Sequence, residues 1–266
     1  MKRTLQPFMA STPSASSSGS SPSSSAYSIA TLIQSAMLKT PRKIHRPYPS
    51  IFYYPGLSSS KKVYNPADFA FAKTIEQNTS KILEEYRRLQ ESGVESDYDT
   101  SRDESHKLHE GSWSWNSYIT KGHRQADFAS RCTTTVEILE SVPTLMTGTP
   151  FSFAFFSSLQ GNSKISAHHG PCNLRLRCHL PLIVPDGDCG MEIGGEVVRW
   201  EEGKLLIFDD CYEHAVWNTS DSERVLLLFD IWHPDLHQEE IDSIIRMFEY
   251  AEKQQWIGGK KKSSVS

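Results

Sequence analysis

Between Asn173 and Val184, leucines at 174, 176, 180 and 182 alternate with Arg175, Arg177 and His179. Successive side chains of a strand point to opposite faces, so this period of two commits the run to a sheet with one apolar face and one face carrying two cations and an imidazole. The apolar face belongs to a core; the charged face suits a ligand. A second run, Val225-Leu226-Leu227-Leu228-Phe229-Asp230-Ile231, is almost continuously apolar, as a deeply buried strand is. Arg224 stands at its mouth, where a guanidinium can reach a carboxylate while its neighbours fill the core. From Phe151 onward, short strand-like runs are separated by Gly, Pro, Asn and Asp, the pattern of a closed sandwich or barrel. A small anionic metabolite held beside a metal fits this layout.

Two histidines bracket the charged stretch. His168 opens His168-His169-Gly170-Pro171-Cys172-Asn173, and His214 closes Phe208-Asp209-Asp210-Cys211-Tyr212-Glu213-His214. The chain has ten histidines, and a hydrogen-bonded structural histidine is the commoner kind, so context has to single these two out. Each sits at an end of a strand-like run. His168 precedes a Gly-Pro turn that can free its ring, and His214 follows an acidic turn whose carboxylates can orient an imidazole or a metal-bound water. Imidazole pairs with open positions suit iron, copper or zinc. A zinc hydrolase would need a third protein ligand and a general base.

The remainder reads as support. Asn65-Pro66-Ala67-Asp68 starts a helix, with a cap, a first-turn proline and an acid at the positive end of the dipole. Phe69, Ala72, Ile75, Ile82, Leu83, Tyr86 and Leu89 continue it to Gly93 as one packing helix. Gly111 to Ile119 is a strand whose Trp113 and Trp115 share a face, read as core. Thr135 to Leu139 is a short helix ending near Pro143, and Pro234 to Tyr250 a helix with Ile241, Ile244, Ile245 and Phe248 on one stripe. Residues 1–27 are dominated by serine and cannot bury enough apolar surface to offset chain entropy, so they are expected to be a disordered basic arm. Residues 28–64 form an extended lead-in, 65–254 one domain, and 255–266 a flexible basic tail.

The first 67 residues hold eight Lys or Arg and no acid, although the whole chain carries a net charge of −4. Without interleaved aromatics the basic arm reads as a solvated tail, and no nucleic-acid partner is expected. Five cysteines with no CxxC pair indicate neither a disulfide framework nor a thiolate zinc site, and favour a reducing, cytoplasmic setting. Organelle targeting by the Ser-rich start is the alternative, although arginine is scarce there. No run of about 18 apolar residues exists, so no stable membrane insertion is expected. Oligomeric state is not indicated.

The run His168-x-Gly170-Pro171-x-Asn173-x-Arg175-x-Arg177-x-His179, followed by Trp200-Glu201-Glu202-Gly203-Lys204, Phe208-Asp209-Asp210, Glu213-His214-x-Val216-Trp217, Arg224 and Asp230-x-Trp232-His233-Pro234, resembles the aspartyl/asparaginyl β-hydroxylase family. The resemblance runs from about Phe156 to Leu236, is weaker upstream and does not reach residues 1–45. It implies a mainly β fold, a double-stranded β-helix (jelly-roll or cupin-like) core with flanking N- and C-terminal helices. It also implies iron(II), with 2-oxoglutarate and O2 as cosubstrates, 2-oxoglutarate leaving as succinate and carbon dioxide while a C–H bond is hydroxylated. The expected substrate is the β-carbon of an Asp or Asn side chain in a protein or peptide, or a small carboxylate.

Residue by residue, the resemblance makes His168 and His214 the iron ligands. Arg224 and Ser157 would hold the distal carboxylate of 2-oxoglutarate, Arg177 and His179 would lie near its oxalyl end, Arg175 would contact a substrate carboxylate, and Asp209 would act on a metal-bound water. Many oxygenases of this fold carry an acid two residues after the first histidine; here that slot is Gly170, as in the animal members of the family, so a two-histidine iron site is expected. Related bacterial lipid hydroxylases keep the acid. The competing readings are a non-catalytic β-helix binding or sensing module and, more remotely, a lipid or small-molecule hydroxylase or a halogenase, since iron halogenases also carry glycine there. His169 and His233 read as structural, and Cys172, Cys178, Cys211, Trp200 and Trp217 as packing residues.

Overall fold

The computed structural model describes residues 47–58, 60–98 and 109–257. The arm of residues 1–27 and the lysines of the basic tail lie outside the described residues. In chain order the elements are β1 (Val63–Tyr64), α1 (Ala72–Gln77), α2 (Thr79–Glu91), β2 (His109–Glu110), β3 (Trp113–Thr120), β4 (His123–Arg124), α3 (Ala126–Arg131), α4 (Thr133–Glu140), β5 (Ala154–Leu159), β6 (Ser163–His168), β7 (Arg175–Ile183), β8 (Cys189–Ile193), β9 (Glu196–Val198), β10 (Leu206–Phe208), β11 (His214–Asn218), β12 (Arg224–Trp232) and α5 (Gln238–Lys253).

From β5 to β12 the chain winds between two sheets. A seven-stranded sheet runs β1-β10-β7-β12-β5-β3-β4, and a five-stranded sheet runs β2-β6-β11-β8-β9. All named pairings are antiparallel. Strands β5, β7, β10 and β12 lie together in the large sheet and β6, β8, β9 and β11 in the small one, so successive strands wind to and fro across the gap. This is a double-stranded β-helix, as the resemblance implied.

The period-2 pattern of β7 survives in three dimensions. Leu176, Cys178 and Leu180 join Val225, Leu227, Phe229 and Ile231 of β12 in a core shared with helices α1 to α4. Arg175, Arg177 and His179 point the other way, into the gap between the sheets. There β12 supplies their register partners, with Trp232 opposite Arg175, Asp230 opposite Arg177 and Leu228 opposite His179. Leu159, Ile165, Met191, Ile193, Phe208 and Leu226 fill the closed end of that gap.

The helix expected over 65–93 is broken into three pieces. Asn65 Oδ1 accepts from Ala67 N at 3.1 Å as anticipated, but it caps only a 3-10 turn, Pro66–Asp68. Phe69 and Phe71 then turn inward against each other and Phe229, and Asn78 separates α1 from α2. Burial of these rings outweighs helix continuity. The α4 and α5 helices form where expected, α5 opening with His237 and Glu240 in a reciprocal capping box. Its stripe of Ile241, Ile244, Met247 and Phe248 closes over Phe52, Cys172, Leu174 and Trp232. The described part of the lead-in runs alongside the segment after β6: Ser50 N donates to Gly170 O at 2.9 Å and Phe52 N to Pro171 O at 2.8 Å. All five cysteines are free and buried.

Candidate active site

His168 ends β6 and His214 begins β11, and the pairing of these strands places the two residues opposite one another. Their ring centroids are 4.1 Å apart. Each ring is fixed by the same local device: His168 Nδ1 meets Ser166 O at 2.8 Å, and His214 Nδ1 meets Tyr212 O at 2.9 Å. A backbone carbonyl can only accept, so Nδ1 carries the proton in both rings and Nε2 is left with its lone pair. Burial lowers both imidazole pKa values, that of His214 to about 3, with His168 adding to the effect. The pair is neutral near pH 7, as ligand imidazoles must be.

Gly170 sits two residues after the first histidine because no side chain fits there. A Cβ on it would lie 2.6 Å from Asp210 Oδ2 and nearer still to Oδ1 and Cγ. The carboxylate beside the histidines is therefore Asp210, which acts electrostatically on both of them. Burial alone would raise its pKa, but Arg175 and Arg177 outweigh that and hold it at about 2. Asp209, which the resemblance placed beside a metal-bound water, braces the turn: its Oδ1 accepts from Cys211 N at 2.9 Å. Burial pushes its pKa up to about 6.

Arg175 also takes a different place from the one the resemblance implied. Its guanidinium is buried, with Nη2 on Asp210 Oδ2 at 2.5 Å, Nη1 on Asp230 Oδ2 at 2.8 Å, and Nη1 also on Phe151 O. Those donors are engaged inside the protein, whereas the resemblance implied a contact with a substrate carboxylate. Arg177, more open, gives Nε and Nη2 to Asp230 and brings Nη1 to 3.6 Å from Asp210. Two arginines and two aspartates thus close a square that balances its own charge.

Arg224 is the opposite case. It is 2 % exposed, and among the described residues its Nε and Nη2 have no partner and Nη1 has only Ser157 Oγ at 3.5 Å. Its guanidinium lies 5.2 Å from the centre of the Trp200 ring. Burial lowers its pKa to about 10, still far above neutrality. Ser157 is held by Trp113, whose Nε1 donates to Oγ at 2.9 Å. Between Arg224 and the histidines lies His179, with both ring nitrogens buried and unpartnered and its pKa driven far down by burial. Buried polar atoms without partners are uncommon, and those of His179 and Arg224 flank the same indole, Trp200.

These orphaned atoms fit the group the resemblance implied. Arg224 with Ser157 suits one carboxylate of a dicarboxylate, His179 and Arg177 suit groups nearer the histidines, and two neutral imidazoles with free Nε2 suit a divalent metal. The sequence reading named these six residues. It gave the water-side role to Asp209 rather than to Asp210, although both stood in the acidic turn it singled out, and it gave no role to Asp230 and read Trp113 and Trp200 as core; Trp200 is buried but also faces the arginine. The Asp210–Gly170 contact had no local signal. His169 and His233 are structural as read: His169 Nδ1 meets Cys211 O at 2.9 Å and His233 Nε2 meets Ser58 O at 3.0 Å.

The sequence model of a family described as Aspartyl/Asparaginyl beta-hydroxylase matches residues 76–234. The human aspartyl/asparaginyl beta-hydroxylase is 35% identical over 134 residues, covering 50% of this chain and 18% of that protein. Aspartate beta-hydroxylase domain-containing protein 2 of Xenopus tropicalis is 29% identical over 205 residues, covering 74% and 54%. Ornithine lipid ester-linked acyl 2-hydroxylase of Rhizobium tropici is 33% identical over 176 residues, covering 65% and 60%. The chain thus spans less than two thirds of each of these relatives. Among solved structures, a Pseudomonas putida prolyl-4-hydroxylase aligns with a TM-score of 0.37 and 14% identity, covering 59% of this chain and 87% of that one. Because the family match runs through both strands of the histidine pair and every buried arginine described above, the chain belongs to the aspartyl/asparaginyl β-hydroxylase family.

Proposed function

We propose that this chain is an iron(II)/2-oxoglutarate-dependent oxygenase that hydroxylates a C–H bond, with His168 and His214 as its protein ligands to iron. The observation that carries the reading is Arg224: a buried, unpaired guanidinium at the end of the inter-sheet gap, beside a serine oriented by Trp113. An uncompensated buried cation is costly to keep, and an incoming carboxylate would supply the missing partner.

In this reading iron with 2-oxoglutarate supplies the oxidising chemistry toward O2, and the protein supplies geometry and charge. Arg224 and Ser157 bind the distal carboxylate, while Trp200 covers the guanidinium and keeps water from it. His179 and Arg177 orient the end of the cosubstrate nearer the histidines. Carbonyls at Ser166 and Tyr212 hold the Nδ1 protons, so both Nε2 atoms stay available. Asp210, anionic at any physiological pH, polarises groups beside the pair.

The substrate we infer is an Asp or Asn side chain of a protein or peptide. A second reading, an acyl chain, is supported by the Rhizobium tropici relative, named for a lipid hydroxylase. The test is incubation of the full chain with iron(II), 2-oxoglutarate, O2 and, separately, a peptide library and acyl lipids, reading succinate and substrate mass. A gain of one oxygen on peptide Asp or Asn is expected. Succinate formation with lipid alone moves the substrate assignment, and no succinate under any condition favours a binding or sensing module. Among the described residues no helix is long and apolar enough to cross a membrane.

A further inference from the structure

We infer that Asp230 is a positioning residue for the site, setting Arg177 so that its Nη1 edge faces the histidines while committing Arg175 to the interior. This rests on the cosubstrate reading above and extends it to a residue outside the proposed ligand set.

Asp230 is fully buried on β12, opposite Arg177 of β7 in the sheet register. Its carboxylate is saturated by donors of defined direction. Oδ1 accepts from Arg177 Nε at 3.0 Å, and Oδ2 accepts from Arg175 Nη1 at 2.8 Å, Arg177 Nη2 at 3.3 Å and the backbone N of Phe153 at 3.1 Å. The Phe153 bond anchors the carboxylate to the residue that leads into β5, the strand that carries Ser157. A guanidinium gripped along its Nε and Nη2 edge cannot rotate about its last bond without losing both contacts, so its remaining nitrogen has one direction. That nitrogen, Nη1, is the one 3.6 Å from Asp210. Arg175 is fixed by the same carboxylate on one side and by Asp210 on the other, which explains why two arginines two residues apart on one face differ: one is interior, the other reaches the open gap.

The charge balance makes the same point. Asp230 compensates one positive charge of the pair and Asp210 the other, so Arg224 remains the free cation of the gap among the described residues. Without Asp230, both arginines would compete for Asp210, drawing Arg177 away from its present direction.

The test is a double-mutant cycle read by binding rather than turnover: calorimetric titration of the full chain with 2-oxoglutarate in the presence of Mn(II) and absence of O2. Asp230→Asn and Arg177→Ala are each expected to weaken binding about tenfold or more, and the double variant to bind no more weakly than Arg177→Ala alone, because coupled residues are not additive. Asp230→Asn combined with Arg224→Ala should multiply, these two residues standing about 20 Å apart along the strand. Normal wild-type binding with multiplying effects of Asp230→Asn and Arg177→Ala, or an Asp230→Asn variant that binds like wild type, overturns the Asp230 assignment alone. A folded wild-type chain that does not bind 2-oxoglutarate overturns the cosubstrate reading and this inference with it. Should Asp230→Asn not fold, arginine side-chain NMR of the wild type decides. The Nε–H of Arg177, identified by its loss in Arg177→Ala, should be protected from exchange; free exchange overturns the assignment.

Discussion

Placing an aspartate at position 170 would restore the acid that many oxygenases of this fold carry two residues after the first histidine. The structure argues against a tighter metal site from that change. A Cβ there meets Asp210 Oδ2 at 2.6 Å, inside any ordinary contact, and Asp210 cannot withdraw because Arg175 holds it from behind at 2.5 Å. Overpacking a fixed neighbourhood costs about 1–3 kcal/mol. A second carboxylate about 4 Å from the first adds about 4 kcal/mol of repulsion at an effective dielectric constant near 20. Gly170→Asp is therefore expected to lose about 5–7 kcal/mol of stability, read by urea denaturation, and to bind Mn(II) more weakly than wild type. Gly170→Ala should lose only the steric part. The double variant Gly170→Asp/Asp210→Gly vacates the space, leaves a carboxylate within reach of Arg175, and should recover most of the loss. A Gly170→Asp protein as stable as wild type, with tighter metal binding, would refute the account of why glycine stands at this position.

Removing Arg224 to alanine should weaken 2-oxoglutarate binding by orders of magnitude, since truncating one partner of a buried charge pair costs about 2–5 kcal/mol, yet leave thermal stability unchanged or higher because the free protein loses an unpaired buried charge; calorimetry and a melting curve check both. Asp209 has its folded pKa raised to about 6, so it favours the folded state at low pH and its contribution is lost as pH rises through the window from about 4 to 6. Asp209→Asn, which can still accept from Cys211 N, should flatten that fall and stabilise the protein at pH 7 by on the order of 2 kcal/mol, measured by denaturation across pH. Deleting residues 1–27 should leave succinate formation intact, on composition alone; loss of activity in a folded protein would give the arm a part in the site.

The sequence showed faces better than it showed partners. Alternation in β7 placed Arg175, Arg177 and His179 on one side of a strand, and the structure keeps them there. Their fates then diverge because Asp210 comes from the turn after β10 and Asp230 from β12, both far from β7 in sequence, and no local pattern distinguishes an arginine hydrogen-bonded to two acids from one hydrogen-bonded to a single acid. Asp209 and Asp210 are adjacent in a turn, and turn geometry rather than composition decides which carboxylate meets the histidines. The helix expected from 65 to 93 was misjudged because spacing reports which residues are buried, not whether the backbone stays continuous while Phe69 and Phe71 turn inward. Trp113 was read as core because it shares a strand face with Trp115; its indole N–H on Ser157 is a long-range contact between β3 and β5.

The register of β6 and β11 has a consequence for how the molecule is made. His168 and His214 face each other only after the chain between them has travelled through the large sheet, the small sheet and back. Closing a segment of about 46 residues costs about 3 kcal/mol of chain entropy before any contact between its ends is gained. Such a pairing belongs to the late, non-local events of folding, so a nascent or half-wound chain would hold its histidines apart and be poor at capturing metal. Capacity to bind metal would then mark the completed fold, and a destabilised variant would lose it in step with global unfolding rather than by damage at the site.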